Sequence, residues 1–225
     1  MEDRPTLPAV EAVLFDLYDT LVWTVWSKIR ERLAETTGLT PRDLMRGFVE
    51  TREARGIGTF GSFQGDLAAV LRTAGGDPTD QQVRALAALE LRTLIDGGVH
   101  LYDDSLPVLR ELRRRGIATA IVSNCDHGTR PIVDSLRLED EVDAVVLSFE
   151  VHVMKPDPAI YLAALERVGG DVATSTFVDD QPTYLDGAAA LGRRTFQIIR
   201  PADPNAPPPD AHPVIEDLWA VVPEE

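Results

Sequence analysis

Ala12-Val13-Leu14-Phe15-Asp16-Leu17-Tyr18-Asp19-Thr20-Leu21 sets an acid directly behind a short, unbroken apolar run. A strand covered on both faces needs such a run, because its side chains alternate between two buried layers. The candidate strand extends back to Val10, across Glu11, and four more mostly apolar runs follow: Ile117 to Val122, Val142 to Leu147, Thr174 to Val178, and Arg194 to Ile199. Helical patterns separate the later ones, which is the alternation of a parallel sheet with helices on both faces. The punctuation agrees. Asp104-Ser105 ahead of Pro107 predicts a capped helix start, and Gly116 behind Arg113-Arg114-Arg115 predicts its stop. Asp157-Pro158 opens another helix, which Gly169-Gly170 closes.

Between the first and second runs the pattern changes. The segment from about Thr24 to Ile95 holds no convincing strand. It divides into four helix-like stretches, 24–37, 41–54, 62–74 and 79–95, separated by Gly38, Gly56-Ile57-Gly58 and Gly75-Gly76-Asp77-Pro78. In the last stretch Val83, Ala87, Leu91 and Leu94 recur at helical spacing. The expected architecture is an α/β core, residues 1–22 and 97–225, with an all-helical cap, residues 23–96, over the carboxyl edge of its sheet. Pro201 to Pro213 is expected as an extended surface loop, and Val214 to Val222 as a last helix or strand.

A chain of 225 residues can bury a full core and carry such an insertion. Its net charge of -15 argues against a nucleic-acid track or an anionic membrane as partner. No apolar run approaches the roughly 18 residues that span a bilayer. Met1-Glu2-Asp3-Arg4-Pro5 lacks the basic patch and apolar core of a secretory signal, and the lone Cys125 gives no internal disulfide. Together these features predict a soluble, cytoplasmic protein; separately from them, a small-molecule partner and a monomer or homodimer are expected.

Strand carboxyl ends of an open parallel sheet share one edge, so distant residues converge there. Four groups occupy such positions: Asp16 to Thr20, Ser123-Asn124, Lys155 within His152-Val153-Met154-Lys155-Pro156-Asp157-Pro158, and Asp179-Asp180. Singly each has an ordinary explanation. An Asp behind a strand is commonly a turn or cap residue, Ser-Asn a turn, an exposed Lys solvated, and Asp-Asp an N-cap for a helix starting near Pro182. Jointly, in this order and spacing, they resemble the four motifs of the haloacid dehalogenase-like (HAD) hydrolases over essentially the whole chain. That resemblance implies a Rossmann-like core with an inserted helical cap.

The residue types suit attack on a phosphate ester. A carboxylate nucleophile such as Asp16 must approach an anion, so its repulsion has to be cancelled by a cation. Asp16, Asp180 and a backbone carbonyl offer the hard oxygens that Mg2+ prefers, and the resemblance implies that the carbonyl is that of Tyr18. Asp179 would be a further ligand or would orient the others. Thr20 and Ser123 supply hydroxyl donors for phosphoryl oxygens, Asn124 a further donor, and Lys155 a positive charge for transfer.

Tyr18 is the anomaly. In the family's phosphatases the residue two after the nucleophile is an Asp that protonates the leaving oxygen and then activates water, whereas a phenol with a pKa of about 10 is a poor base near neutrality. A Tyr there resembles the L-2-haloacid dehalogenases, in which halide leaves unprotonated and no metal is needed. Against that, Asp19 stands where those enzymes have Gly, and Asp179-Asp180 where they carry a neutral stretch. Two acids facing Asp16 without a cation would repel it. The favoured expectation is therefore a Mg2+-dependent phosphatase acting through an aspartyl-phosphate on Asp16, on substrates with a good leaving group. The alternatives are a metal-independent L-2-haloacid dehalogenase and a catalytically weak relative that binds a phosphorylated ligand. Trp23 and Trp26 are expected to pack the cap on the core, and Arg46, Arg52 and Arg55 to be solvated or to meet an anionic substrate. Gly97-Gly98 suits a hinge for cap opening. Cys125 is expected as a core-edge residue, and the four His show no metal-ligand spacing.

Overall fold

The computed structural model describes residues 10–200, 207–209 and 211–224, so most of the expected proline-rich loop lies outside the described residues. In chain order the elements begin with β1 (Ala12–Phe15), β2 (Val22–Thr24), α1 (Trp26–Thr37), α2 (Pro41–Glu50), α3 (Arg52–Gly56), α4 (Phe63–Thr73) and α5 (Asp80–Ile95). Then come β3 (Val99–Leu101), α6 (Ser105–Arg114), β4 (Ala118–Ser123), α7 (Thr129–Ser135), β5 (Ala144–Leu147) and α8 (Ser148–Val151). The chain finishes with α9 (Pro158–Val168), β6 (Ser175–Asp179), α10 (Pro182–Ala189), β7 (Arg194–Ile198), β8 (Val214–Ile215) and a 3-10 turn, Leu218–Val221. The segment Val214 to Val222 is thus both strand and helical turn.

Six strands form one parallel sheet in the order β5-β4-β1-β6-β7-β8. β1 is central because it is apolar on both faces. Val13 and Phe15 join one buried cluster with Ile121, Leu147 and Val178, while Ala12 and Leu14 join a second with Ala120, Val122 and Phe177. Period-two alternation thus divides one unbroken apolar run between two helical layers. Phe15 pairs in register with Ile121 on β4 and Val178 on β6, which brings the ends of three strands level at one edge. Among the described residues no helix is long and apolar enough to cross a membrane.

The insertion is helical, with one difference at its root. Residues 22–24 and 99–101 pair antiparallel, Trp23 opposite His100, so the two chain crossings form a two-stranded ribbon. Strands of three residues carry too little periodicity to be legible in sequence. The expected single helix over 41–54 divides at Thr51, whose hydroxyl donates to the Gly47 carbonyl at 2.7 Å beside the helical N–H bond to the same oxygen, a back-bond that bends helices. Helices α1, α2, α4 and α5 share a separate apolar cluster that includes Leu33, Leu44, Leu67, Leu71 and Leu86. At Gly47 a Cβ would meet the Val70 carbonyl at 2.4 Å, so α2 and α4 approach through backbone. On α5 the buried stripe is Val83, Leu86, Ala87, Glu90 and Leu94, whereas Leu91 is only half-buried.

Two further expectations change. Asp104 precedes α6 but caps nothing with its side chain. Its carboxylate accepts instead from Arg200 Nη1 at 2.8 Å and from the Leu218 N–H at 2.7 Å, tying the chain's last turn to the core. Trp23 and Trp26 are 39 % and 38 % exposed, so each is only partly engaged in packing, and Trp26 also lines a cavity. Trp23 stacks on His100, and Trp26 lies against the Tyr18 ring at 5.6 Å.

Candidate active site

The sheet's carboxyl edge is built around β1. The Asp16 N–H still donates to the Val178 carbonyl at 2.9 Å, so the residue is held as the last of the central ladder. The chain then turns at once. Leu21 and Val22 N–H groups both donate to the Leu17 carbonyl, and Asp19 adopts φ +58°, a left-handed value that Asp tolerates better than most residues. This turn buries Thr20 and leaves its hydroxyl without a hydrogen-bond partner among the described residues. The Ser123 hydroxyl, at the end of β4, is buried and unpartnered in the same way. Buried polar groups are almost always paired, so two orphan donors on this edge call for an acceptor that arrives from outside.

Lys155, between α8 and α9, is fully enclosed. Its Nζ donates to Asp16 Oδ1 and Asp179 Oδ2, each at 2.6 Å, and lies over the Tyr184 and Phe177 rings at 4.9 and 5.4 Å. Burial opposes the ammonium, but the two carboxylates outweigh it and hold Lys155 charged. Asn124 fixes this lysine rather than facing outward. Its Oδ1 accepts the Lys155 N–H at 2.7 Å and its Nδ2 donates to the Lys155 carbonyl at 2.8 Å, leaving one amide hydrogen for a ligand.

One carboxylate oxygen from each of Asp16, Asp179 and Asp180 lies within 4.8 Å of the others. All three residues are buried, with a single ammonium among them. The surplus of acid shows in their protonation. Burial first, and Asp16 next, push Asp180 up to about 7, while burial and both neighbouring acids raise Asp179 despite Lys155. Asp179 has little left to offer a cation, because Oδ2 is taken by Lys155 and Oδ1 accepts the Gln181 N–H at 2.8 Å. Asp180 has one oxygen bonded by Gln181 Nε2 at 2.6 Å. Hard, buried oxygens carrying more negative charge than the lysine cancels are a donor set that fits a divalent cation.

Tyr18 points elsewhere. Its hydroxyl bonds Thr129 Oγ1 on α7 at 3.1 Å, and burial raises its pKa, so it is a neutral hydroxyl and no base. Cys125 is buried, and desolvation pushes its thiol up to about 12, which agrees with a core-edge role. Arg46, Arg52 and Arg55 are not purely solvated, since each also has a partner within the protein. Arg46 pairs with Asp43 and bonds the Thr73 and Ala74 carbonyls, Arg52 donates to the Tyr184 hydroxyl, and Arg55 is paired with Asp126.

Several participants escaped the sequence. Gln181 orders both acids of its neighbouring pair. Arg200, just past β7, donates to the Thr20 carbonyl as well as to Asp104, and so braces the turn after Asp16. The signal was available, since Arg200 stands behind a fifth strand at the same edge as the four motifs.

A family model described as haloacid dehalogenase-like hydrolase matches residues 10–192, and the chain belongs to that family of hydrolases. Among its relatives, a phosphatase of Mycobacterium tuberculosis is 28 % identical over 207 residues, covering 85 % of this chain and 88 % of the relative. A phosphoglycolate phosphatase of Rhodospirillum rubrum is 30 % identical over 188 residues, covering 81 % of this chain and 76 % of the relative. A crystal structure of a dehalogenase superposes with a TM-score of 0.65 at 23 % identity, covering 96 % of each chain, and at that identity it shows the fold alone.

Proposed function

We propose that this chain is a Mg2+-dependent phosphatase for small metabolites, with Asp16 as nucleophile. The observation that carries the proposal is the crowding of three buried carboxylates, Asp16, Asp179 and Asp180, around a single ammonium. A dehalogenase gains nothing from that surplus of negative charge, whereas a metal-assisted attack on phosphate needs it. In this reading the helices of residues 23–96 are a cap domain on a core of residues 1–22 and 97–225, with the ribbon and Gly97-Gly98 as the hinge.

The Asp16 carboxylate attacks phosphorus, the bond to the leaving oxygen breaks, and an aspartyl-phosphate forms. Thr20 and Ser123, whose hydroxyls lack partners among the described residues, donate to the phosphoryl oxygens. Lys155 holds the Asp16 carboxylate in place and neutralises charge that builds on the phosphoryl group. Asp179 positions Lys155, and Asn124 fixes the lysine's backbone while offering its remaining amide hydrogen. Asp16, Asp180 and the Tyr18 carbonyl would hold Mg2+, whose charge would offset the repulsion between the carboxylate and the phosphate. With Tyr18 where a proton carrier would stand, the leaving group departs without strong acid catalysis, which favours acyl, anomeric or aryl phosphates over alkyl ones.

A parallel assay tests this. With millimolar Mg2+, aryl phosphates should turn over faster than alkyl phosphates by at least about 10²-fold, the lower range of what general acid catalysis contributes. Chelator should abolish phosphate release, and 2-chloropropionate should yield no chloride. Chloride release that resists chelator, without phosphate release, would overturn the proposal in favour of the dehalogenase reading suggested by Tyr18. Saturable, Mg2+-linked binding of phosphorylated ligands without turnover would overturn it in favour of a binding protein.

Stability offers an independent check on the metal. Asp180 is raised above its unfolded value, so its contribution is complete below about pH 4 and is lost as pH rises through about 7. Cation and proton compete for the same oxygens. Mg2+ at about ten times its dissociation constant should therefore stabilise the protein by about 1.4 kcal/mol at pH 8 and by clearly less at about pH 5. Thermal unfolding at the two pH values measures the difference. A Mg2+ effect independent of pH, or one retained by Asp180→Asn, contradicts the assignment.

A further inference from the structure

A cavity of about 530 Å³ lies between the helical insertion on one side and the segment around α7 on the other. Its walls include Tyr18, Trp26, Phe48, Phe63, Leu67 and Leu94. Tyr18 follows Asp16 by two residues and Asn124 grips Lys155, and both line this space, so the cavity adjoins the place where a reacting group would sit. A volume of this size suits the organic part of a small substrate.

Two buried carboxylates line the same cavity, and each keeps one oxygen without a partner among the described residues. Glu90 stands on the apolar stripe of α5 and is 4 % exposed, with Oε1 buried and unpartnered among the described residues. Burial outweighs the charge of Arg32, whose guanidinium donates instead to the Thr93 hydroxyl at 2.9 Å, and pushes Glu90 up to about 7. Asp66, in the first turn of α4, is 1 % exposed. Its Oδ2 accepts from the His127 N–H at 3.2 Å and pairs with the His127 ring at 2.8 Å, but its Oδ1 is buried and unpartnered. The nearby cations do not supply the missing partner. Arg55 is committed to Asp126, the Thr51 hydroxyl and the Phe48 carbonyl, and Arg52 to the Tyr184 hydroxyl. Arg30, on α1, lines the cavity only half-buried.

An apolar stripe position gains nothing from Glu, and burying a carboxylate without a partner is among the costlier arrangements in a fold. A residue kept there at that cost is explained by a ligand that completes it. We propose that this cavity receives the leaving group of the substrate and selects organic moieties that bear a protonated amine, with Glu90 as the principal acceptor and Asp66 as the second. Aromatic and aliphatic walls take the carbon skeleton, and the two orphan oxygens take the ammonium hydrogens. The substrate class is an aryl phosphate whose organic part bears a protonated amine. The ammonium pocket stands on its own geometry, while the phosphate half rests on the function proposed above.

Binding without turnover tests the pocket first. Benzylammonium should raise the unfolding midpoint of the wild-type protein in a concentration-dependent way, and its neutral counterpart, benzyl alcohol, should do so far less. Glu90→Gln should abolish the difference, and Asp66→Asn should reduce it, which supplies a second variant should one of them fold poorly. Equal stabilisation by the amine and the alcohol, or a difference that survives both substitutions, overturns the inference. Turnover gives the second readout. With Mg2+, 4-(aminomethyl)phenyl phosphate should exceed 4-methylphenyl phosphate in kcat/KM by about tenfold or more, the worth of a hydrogen bond to a charged group. In Glu90→Gln that ratio should fall to near one. An equal gain from 4-(hydroxymethyl)phenyl phosphate would mean a neutral polar pocket and would overturn the ammonium assignment. If benzylammonium binds through Glu90 and no phosphate ester is hydrolysed, the pocket stands and the proposed function fails.

Discussion

Asp16→Asn is expected to lower kcat by at least about 10⁴-fold, because a carboxamide of the same shape cannot attack phosphorus or carbon, and losing a nucleophile typically removes nearly all turnover. The substitution isolates chemistry from structure. The Asn oxygen can still accept from Lys155 Nζ, which lies 2.6 Å from Asp16 in the native protein, so packing around the lysine is preserved. One of three crowded acids loses its charge, which relieves Asp180 and Asp179. The variant should therefore unfold at or above the wild-type midpoint at about pH 8, where the native acids repel most strongly. Single-turnover phosphate release and thermal unfolding on the same preparation decide the matter. Activity within tenfold of wild type would remove Asp16 from the centre of the reaction, and a large loss of stability would make the turnover result uninterpretable as chemistry.

Lys155→Met should be the most damaging single substitution for folding and among the worst for rate. Met nearly matches the lysine stem in length and keeps its contacts with the Tyr184 and Phe177 rings, so the loss is chiefly one of charge. What is left behind is a pair of buried carboxylates, Asp16 and Asp179, that had shared one ammonium. Breaking a buried pair by removing one partner costs about 3–5 kcal/mol. The cost depends on pH, and its sign can be fixed. Asp179 is already raised with the ammonium in place, so without it the folded state binds protons more readily still, and the deficit is smallest in acid and grows as pH increases. Denaturant midpoints at about pH 5 and about pH 8 measure this. A deficit that is the same at both pH values would indicate lost packing rather than unpaired charge. The rate should fall by about 10²–10³-fold even where the protein is folded, as expected for the loss of a group that stabilises transition-state charge.

These two residues were legible early because their positions follow from topology. A parallel sheet puts strand carboxyl ends at one edge, so an acid behind β1, a hydroxyl ending β4 and an acid pair at the end of β6 had to meet once the strands were assigned. Lys155 belongs to the same set, although it comes from a loop, because a loop returning from the edge strand β5 to α9 must cross that edge. The strands themselves were clear since each is buried on both faces. Val13 and Val178 feed one layer and Leu14 and Phe177 the other, and an apolar run survives only when neither face meets water.

Short-range features were harder to foresee. The β2–β3 ribbon consists of two three-residue strands about seventy-five residues apart, and neither carries a pattern until the other is beside it. Asp104 looked like a helix cap because caps are the commonest use of an Asp before Ser-Leu-Pro, yet Arg200, ninety-six positions away, competes for its carboxylate and wins with a charged donor. Glu90 is the sharpest case. Its spacing from Ala87 and Leu94 puts it on the buried face of α5, but a Glu in sequence is taken as solvated until the helices that cover it are in place.

Sequence alone determined the parallel α/β core, the helical insertion and the meeting of Asp16, Thr20, Ser123, Lys155, Asp179 and Asp180 at one edge, because hydrophobic periodicity and strand topology are properties of the linear chain. Tertiary structure decided how those groups are used. It gave Asn124 to the backbone of Lys155, spent both oxygens of Asp179 within the protein, turned the Tyr18 hydroxyl to Thr129, and left Glu90 and Asp66 with unpartnered oxygens beside a cavity. The physical reason is that a hydrogen bond or an ion pair is settled by which groups compete within about 3 Å, and that competition exists only after distant segments have been packed together.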